Sequence, residues 1–322
     1  MASPNLSEIV TTTIRNRSRK LADNVSNNNA LLYKLKAADK VKTFSGGQNI
    51  VQELDYAENS TYKRYSGYET LDISPSDVLT AAEYEIKQSA VAVSISGLET
   101  LQNSGKEKMI DLLESRITNA ERTMMNNMST DIYSDGTADG GKQIGGLQSL
   151  ISDSPATGTV GGINAATYSF WRNQEFDASD ESVTLSSSTI QSAMNKLYLR
   201  CSRGADHTDL IVADNNYYEF YWASLQANQR FMDSKMAEAG FQTLKFQNAD
   251  VVFDGGISGA CPDNRMYFIN CDYLFFRPHK DRQFVPLEPD RFATNQDAMV
   301  KLIGFAGNMT CSNRSLQGVM QP

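Results

Sequence analysis

Cys201, Asp206 and His207 are the residue types of a nucleophile, an orienting carboxylate and a base, the set a cysteine hydrolase uses. Nearness in sequence does not build that geometry, however. Cys201 closes an amphipathic helical pattern, where a small buried thiol is commonplace. His279 stands in Arg277-Pro278-His279-Lys280 with no second histidine or cysteine at ligand spacing, so it points to no metal. The sharpest motif is Gly136-Thr137-Ala138-Asp139-Gly140-Gly141-Lys142, which matches the G-x-x-x-x-G-K phosphate cradle. Gln143 replaces the serine or threonine that would hold Mg²⁺, and the motif follows a predicted helix, whereas a P-loop follows a strand and opens a helix. Carboxylates are numerous, but nothing selects a pair. Met109, Met124, Met125 and Met128 read as core filler. No catalytic, cofactor-binding or metal-ligating residue is assigned, and the expectation is a protein that is not an enzyme.

The element that would position any site is the stretch 104–132. Ser104-Gly105-Lys106-Glu107 forms a capping box, serine accepting the third helical N–H while glutamate reaches back to the cap. Met109, Leu113, Ile117, Ala120, Met124 and Met128 share one stripe roughly 100° wide, with Asp111, Thr118, Arg122 and Ser129 opposite. Asp135-Gly136 supplies the stop. The spacing predicts a helix of about 28 residues and roughly 42 Å. A single narrow stripe cannot bury such a helix inside a compact domain, so it is expected to lie lengthwise across an extended sheet.

Composition sets the wider limits. The 322 residues are 40% hydrophobic and 21% charged, enough for one large or two ordinary domains. No run approaches 18 apolar residues, and Met1-Ala2-Ser3-Pro4 starts no secretory signal, so neither membrane nor export is expected. Cys201, Cys261, Cys271 and Cys311 are far apart without a CxxC pair, as in reduced cytosolic proteins. The net charge of −8 is uneven. Residues 1–42 carry eight basic side chains against three acidic ones, so this arm is +5 and the rest is −13. A basic arm on an acidic body meets a subunit, a partner or nucleic acid.

Along the chain, Ile9, Ile14, Leu21 and Val25 make a weak amphipathic series in the arm. Leu31-Leu32-Tyr33 is an apolar knot of the kind that docks on something else. Residues 48–73 alternate as a hairpin, Ile50, Gln52, Leu54 and Tyr56 on one arm and Tyr62, Arg64, Ser66 and Tyr68 on the other. A lone polar hairpin is marginal in water. It would gain order on a neighbouring surface through Tyr56, Tyr62, Tyr65 and Tyr68, with Lys63 and Arg64 beside them. A long strand with a change of face covers 82–95, which suggests a bulge or twist. Eight of the residues 136–162 are glycine, marking a loop between two structural regions. Helices near 188–200 and 215–227 and strands at 209–213, 244–253, 266–276 and 299–311 follow without a βαβ repeat, which reads as α+β.

This order resembles the major capsid proteins of tailed bacteriophages, the HK97-like fold. Ala81-Ala82-Glu83-Tyr84-Glu85-Ile86-Lys87, Val93-Ser94-Ile95-Ser96-Gly97-Leu98-Glu99, Asn103-Ser104-Gly105, Ser129-Thr130-Asp131-Ile132-Tyr133-Ser134-Asp135-Gly136, Gly145-Gly146-Leu147-Gln148-Ser149-Leu150 and Phe170-Trp171-Arg172 carry the likeness, which is diffuse but spans essentially the whole chain. The resemblance implies an N-terminal arm over 1–42, an E-loop hairpin over 43–74 that reaches across the adjacent subunit, and a peripheral P-domain over 75–140. A return strand at about 290–312 would complete the P-domain, and 141–289 would form mainly the A-domain. It further implies pentamers and hexamers closing into an icosahedral shell around double-stranded DNA. A separate scaffolding protein and a portal would be partners, and assembly would occur in the host bacterial cytoplasm before the protein resides in the virion. Arg15, Arg17, Arg19 and Lys20 would then lie on the inner, DNA-facing side, since an acidic body repels packaged DNA. In some relatives a hairpin lysine crosslinks to an asparagine. Lys63 is near the tip, but no asparagine or activating carboxylate is assigned to it. An encapsulin-like shell, another virion structural protein and, last, a cysteine hydrolase are the alternative readings.

Overall fold

The computed structural model describes residues 29–102, 106–225, 243–255, 260–287, 291–292 and 298–322. The basic residues Arg15, Arg17, Arg19 and Lys20 and the serine of the capping box lie outside them. In chain order the principal elements are α1 (Ala30–Ala37), β1 (Asn49–Asp55), β2 (Leu79–Glu85), β3 (Lys87–Ser96), α2 (Gly97–Gln102) and α3 (Lys106–Asp131). After them come β4 (Thr159–Val160), β5 (Ile163–Asn164), β6 (Gln174–Asp177), α4 (Ile190–Arg200), β7 (Leu210–Ala213) and α5 (Asn215–Ser224). The chain closes with β8 (Thr243–Phe246), β9 (Ala249–Phe253), β10 (Met266–Ile269), β11 (Leu274–Pro286), β12 (Arg291–Phe292), β13 (Ala298–Cys311) and β14 (Gly318–Gln321).

Four β assemblies organise these elements among the described residues, the smallest being the antiparallel β4–β5 pair. β1 and β2 form an isolated antiparallel ribbon. β13 is the centre of a four-stranded sheet, with β3 on one side and β11 and β12 on the other. A six-stranded sheet runs β6-β14-β10-β7-β9-β8, mixed because β6 is parallel to β14 and β7 to β9. Leu210, Ile211, Val212 and Ala213 are all fully buried, since alternate side chains enter two different cores. On one face α4 and α5 cover the sheet through Ile190, Met194, Leu197, Tyr217 and Tyr221. The other face joins the larger core shared with α1, α3, the ribbon and β13. Strands covered on both faces read as unbroken apolar runs, which explains why 209–213 was visible in the sequence.

The long helix has 26 residues, about 39 Å. Ile117, Ala120, Met124 and Met128 are buried as the stripe requires, and Arg116 ties the helix to Ser94 of β3 and to Glu99. Ser129, placed opposite the stripe by periodicity, is instead buried, because neighbouring segments enclose the end of the helix. The glycine-rich stretch does not divide the molecule either. Leu147, Leu150 and Ile151 enter the same core as Met128 and Ile132, and Leu147 N–H donates to the Ile132 carbonyl at 2.7 Å.

Pairing differs from expectation in four places. The hairpin expected within 43–74 instead pairs Asn49–Asp55 with Leu79–Glu85, so it extends past its expected end, and 62–68 is not a strand. The strand at 82–95 is two strands meeting at Ile86, and the change of face marks the point where the chain changes sheets. The strand at 244–253 is a tight hairpin turning at Gln247, which has a left-handed φ of 50°. The strand at 266–276 is interrupted at Cys271–Tyr273, where the chain crosses from the six-stranded to the four-stranded sheet. The apolar knot in the arm docks on its own chain. Leu31, Leu32 and Leu35 are buried in the main core. Asn29 caps α1 and donates to Asp254 at 3.0 Å, and Lys34 pairs with Asp250 at 2.8 Å.

Candidate assembly surface

The ribbon is buried only where it meets the body, through Ile50 and Leu54 of β1 and Ala82 and Tyr84 of β2. Its root is tied down on several sides. Glu83 N–H donates to Gly161 O at 2.9 Å, the Tyr84 hydroxyl meets both Cys311 O and Cys311 N–H, and Arg277 donates to Gln52 at 2.8 Å. Gly161 adopts a left-handed φ of 59°, and a Cβ there would stand 2.8 Å from that of Ala82. No larger residue fits that contact.

Between the two strands the chain makes an excursion over 56–78 without regular structure beyond turns. Tyr56 N–H donates to Val78 O at 3.1 Å, and Ser60 meets Ser76 through their hydroxyls at 2.8 Å, so the excursion is closed at its neck. Tyr56 itself is half-buried there, its hydroxyl donating to Asp77 O at 3.0 Å and its ring 5.2 Å from Phe170. Beyond the neck Tyr62, Tyr65, Tyr68, Leu71 and Ile73 are exposed, Ile73 at 93%. Lys63 pairs with Glu69 at 3.0 Å, and Arg64 is exposed. Thus all six contact residues named from the sequence fall in this excursion, Tyr56 as its anchor at the neck and the other five beyond it. Leu71 and Ile73 were missed, because they fall outside the alternating pattern. Their signal was the presence of large aliphatics in a polar run just before Ser74-Pro75. Five large apolar or aromatic side chains left exposed within twelve residues fit contact with another surface.

The enzymatic alternative fails on geometry. Cys201 is fully buried, and burial pushes its thiol up to about 12, far from a thiolate nucleophile. His207 meets Ala205 O and the Asn248 amide, while Asp206 accepts from the Tyr273 hydroxyl at 2.9 Å. The three are not joined as a relay. The Gly136–Lys142 loop, far from offering amides to a phosphate, turns the Gly141 carbonyl to the Lys87 ammonium at 2.7 Å, and Gln143 is held by Asp131. Among the described residues no cluster of three or more metal-ligating side chains occurs, and no helix is long and apolar enough to cross a membrane.

No family model and no curated protein matches the chain in sequence. Solved structures match it in three dimensions along nearly its whole length. A chain of the cyanophage A-1(L) capsid asymmetric unit is 16% identical, with a TM-score of 0.68 over 91% of this chain and 92% of that one. A chain from the capsid of an empty GTA particle is 9% identical, with a TM-score of 0.53 over 88% of each chain. A chain of the satellite phage P4 procapsid, a particle that includes the size determination (Sid) protein, is 10% identical, with a TM-score of 0.52 over 100% of this chain and 92% of that one. The α+β architecture is therefore the HK97-like fold of phage capsid proteins.

Proposed function

We propose that this chain is the major capsid protein of a tailed bacteriophage, many copies of which assemble through pentamers and hexamers into an icosahedral shell enclosing double-stranded DNA. The observation that carries the reading is the match to the cyanophage capsid chain across nine-tenths of both molecules. The exposed excursion supports it independently, since a tethered segment with several exposed apolar side chains calls for a neighbour, and rings of subunits supply one through head-to-tail contacts. Residues 1–42 act as the arm, with α1 as its docked end. The ribbon and excursion, 49–85, act as the E-loop, α3 with the β13 sheet as the P-domain, and the six-stranded sheet as the core of the A-domain. The basic residues Arg15, Arg17, Arg19 and Lys20 face the packaged DNA, offsetting an acidic body. A separate scaffolding protein and a portal act during assembly in the host cytoplasm; the P4 procapsid that includes Sid is in keeping with an assembly factor of that kind.

Negative-stain electron microscopy of the purified full-length chain, produced alone and with its neighbouring genes, tests the reading. Closed shells, or rings of five and six, are the expected result. Monomers under both conditions would overturn it. Deleting residues 2–20 tests the arm: loss of DNA retention or assembly is expected, and an unaltered particle would remove the arm from its inner-surface role.

A further inference from the structure

β2 and β3 are one continuous stretch of chain in two different sheets, with Ile86 as the only residue between them. β3 pairs with β13 as far as Lys87 opposite Gly307, where the ladder stops. The next residue of β13, Asn308, is 4% exposed and continues the connection with its side chain. Its Nδ2 donates to the Glu85 carbonyl, at the end of β2, at 2.8 Å. Its Oδ1 accepts from Gly145 N–H at 3.0 Å and from Met309 N–H at 2.9 Å. One amide therefore ties the ribbon, the turn after α3 and the central strand of the four-stranded sheet. The work is divided between its two ends: the nitrogen reaches the ribbon, and the oxygen stays with the body. Lys87 spans the same corner from the solvent side, between the Glu85 carboxylate and Gly141 O.

We propose that Asn308 is a positioning residue for assembly, whose amide donor sets the direction in which the ribbon and its exposed excursion leave the body. This rests on the capsid reading above. The ribbon is also held at Ile50, Leu54, Ala82 and Tyr84, so Asn308 acts together with these contacts, and a shift of the Glu85 end passes along the β1–β2 ladder to the excursion beyond Tyr56. Apolar contacts are lost when surfaces separate by roughly 1 Å. A small change at Asn308 thus becomes a mismatch at the next copy.

Asn308→Asp separates the two ends of the amide, because at neutral pH the carboxylate keeps both acceptor bonds and loses the donor. In the full-length chain, amide hydrogen exchange over 49–55 and 79–85 is expected to quicken about two- to tenfold. The buried carboxylate also faces the Glu85 carbonyl, so the unfolding midpoint is expected to fall as well, and the readout specific to the proposal is faster exchange over 49–55 and 79–85 than over the six-stranded sheet. Shells made under conditions where the wild type closes uniformly are expected to vary in diameter or stay open. Acid restores a donor, since a protonated carboxyl carries an O–H, so the exchange difference from wild type should shrink as pH falls. Asn308→Ala has no donor at any pH and should not recover. Uniform wild-type-like shells together with unchanged ribbon exchange in Asn308→Asp would overturn the proposal. If the wild type itself forms no shells, the capsid reading fails, and the exchange comparison alone then decides whether Asn308 holds the ribbon.

Discussion

β7 and β1 are both short strands paired within sheets, yet their side chains meet opposite environments. All four residues of β7 are buried, between α4 and α5 on one face and the main core on the other. In β1 only Ile50 and Leu54 are buried, and the chain beyond it carries Tyr62, Tyr65, Tyr68 and Ile73 into solvent. The six-stranded sheet satisfies its apolar surface within one subunit. The ribbon is anchored within the subunit but holds apolar surface in reserve, which fits a body that folds first and a limb that completes itself on a neighbour. Under the proposed function, the contrast also separates residues whose loss is expected to unfold the chain from residues whose loss is expected to stop assembly.

The largest effect should come from the body. Arg314 is fully buried without a carboxylate partner among the described residues, and burial lowers its pKa. It donates to Leu150 O at 2.6 Å, Trp171 O at 2.9 Å and Asn173 Oδ1 at 3.0 Å, stapling three segments. Arg314→Ala leaves those acceptors buried and unmet, and is expected to cost about 3–5 kcal/mol by denaturant titration. A change below 1 kcal/mol would show that the staple is dispensable.

Gly318→Val should come next. A Cβ at Gly318 would lie 2.5 Å from Cys201 Sγ and 3.0 Å from Leu197 Cδ1, so the sheet must shift from α4, at about 1–3 kcal/mol. Equal stability in thermal unfolding would mean that this core is looser than its burial implies.

Asp254 offers a test with a sign. Burial raises its pKa, against the opposing hydrogen bond from Tyr133, so protonation favours the folded state. Its charged form therefore weakens the fold above the raised value, and stability is gained as pH falls through that value. Asp254→Asn keeps an acceptor for Tyr133 and should lie within about 1 kcal/mol of wild type at pH 8. Wild type should gain on the variant as pH is lowered in paired denaturation curves; the opposite slope would reverse the assignment.

The smallest effect on folding, and the one that most sharpens the contrast, belongs to the limb. Tyr68→Ser and Ile73→Ser remove exposed side chains and should change stability by no more than about 0.5 kcal/mol. Shell yield should nonetheless fall by about tenfold or more. Normal shells would relocate the contact; destabilised monomers would show that the excursion packs on its own body.

Much of the architecture was legible because it is locally encoded. The stripe of α3, the apolar run of β7 and the amphipathic pattern of α4 each recur at a period set by a single element. The excursion was legible only in part. Tyrosine-rich alternation marks 56–68, but alternation alone does not say which strand is the partner, and 82–85 of β2 reads as the start of a longer strand. The four-residue strands β6 and β14 left no signal at all, since their pairing joins residues more than 140 positions apart.

What the amino-acid sequence determined by itself is therefore the longer periodic elements and their apolar faces, the stripe of α3, the run of β7 and the pattern of α4, since periodicity is a property of neighbouring residues. Which surfaces meet was decided by tertiary structure alone. Leu31 and Leu32 read as a docking knot, but only packing made their own core the partner. Asn308 reads as an unremarked polar residue in a strand, and only the fold carries Glu85, 223 positions away, to its amide. Contacts of this kind depend on burial and register summed over the whole chain, and no short window contains them.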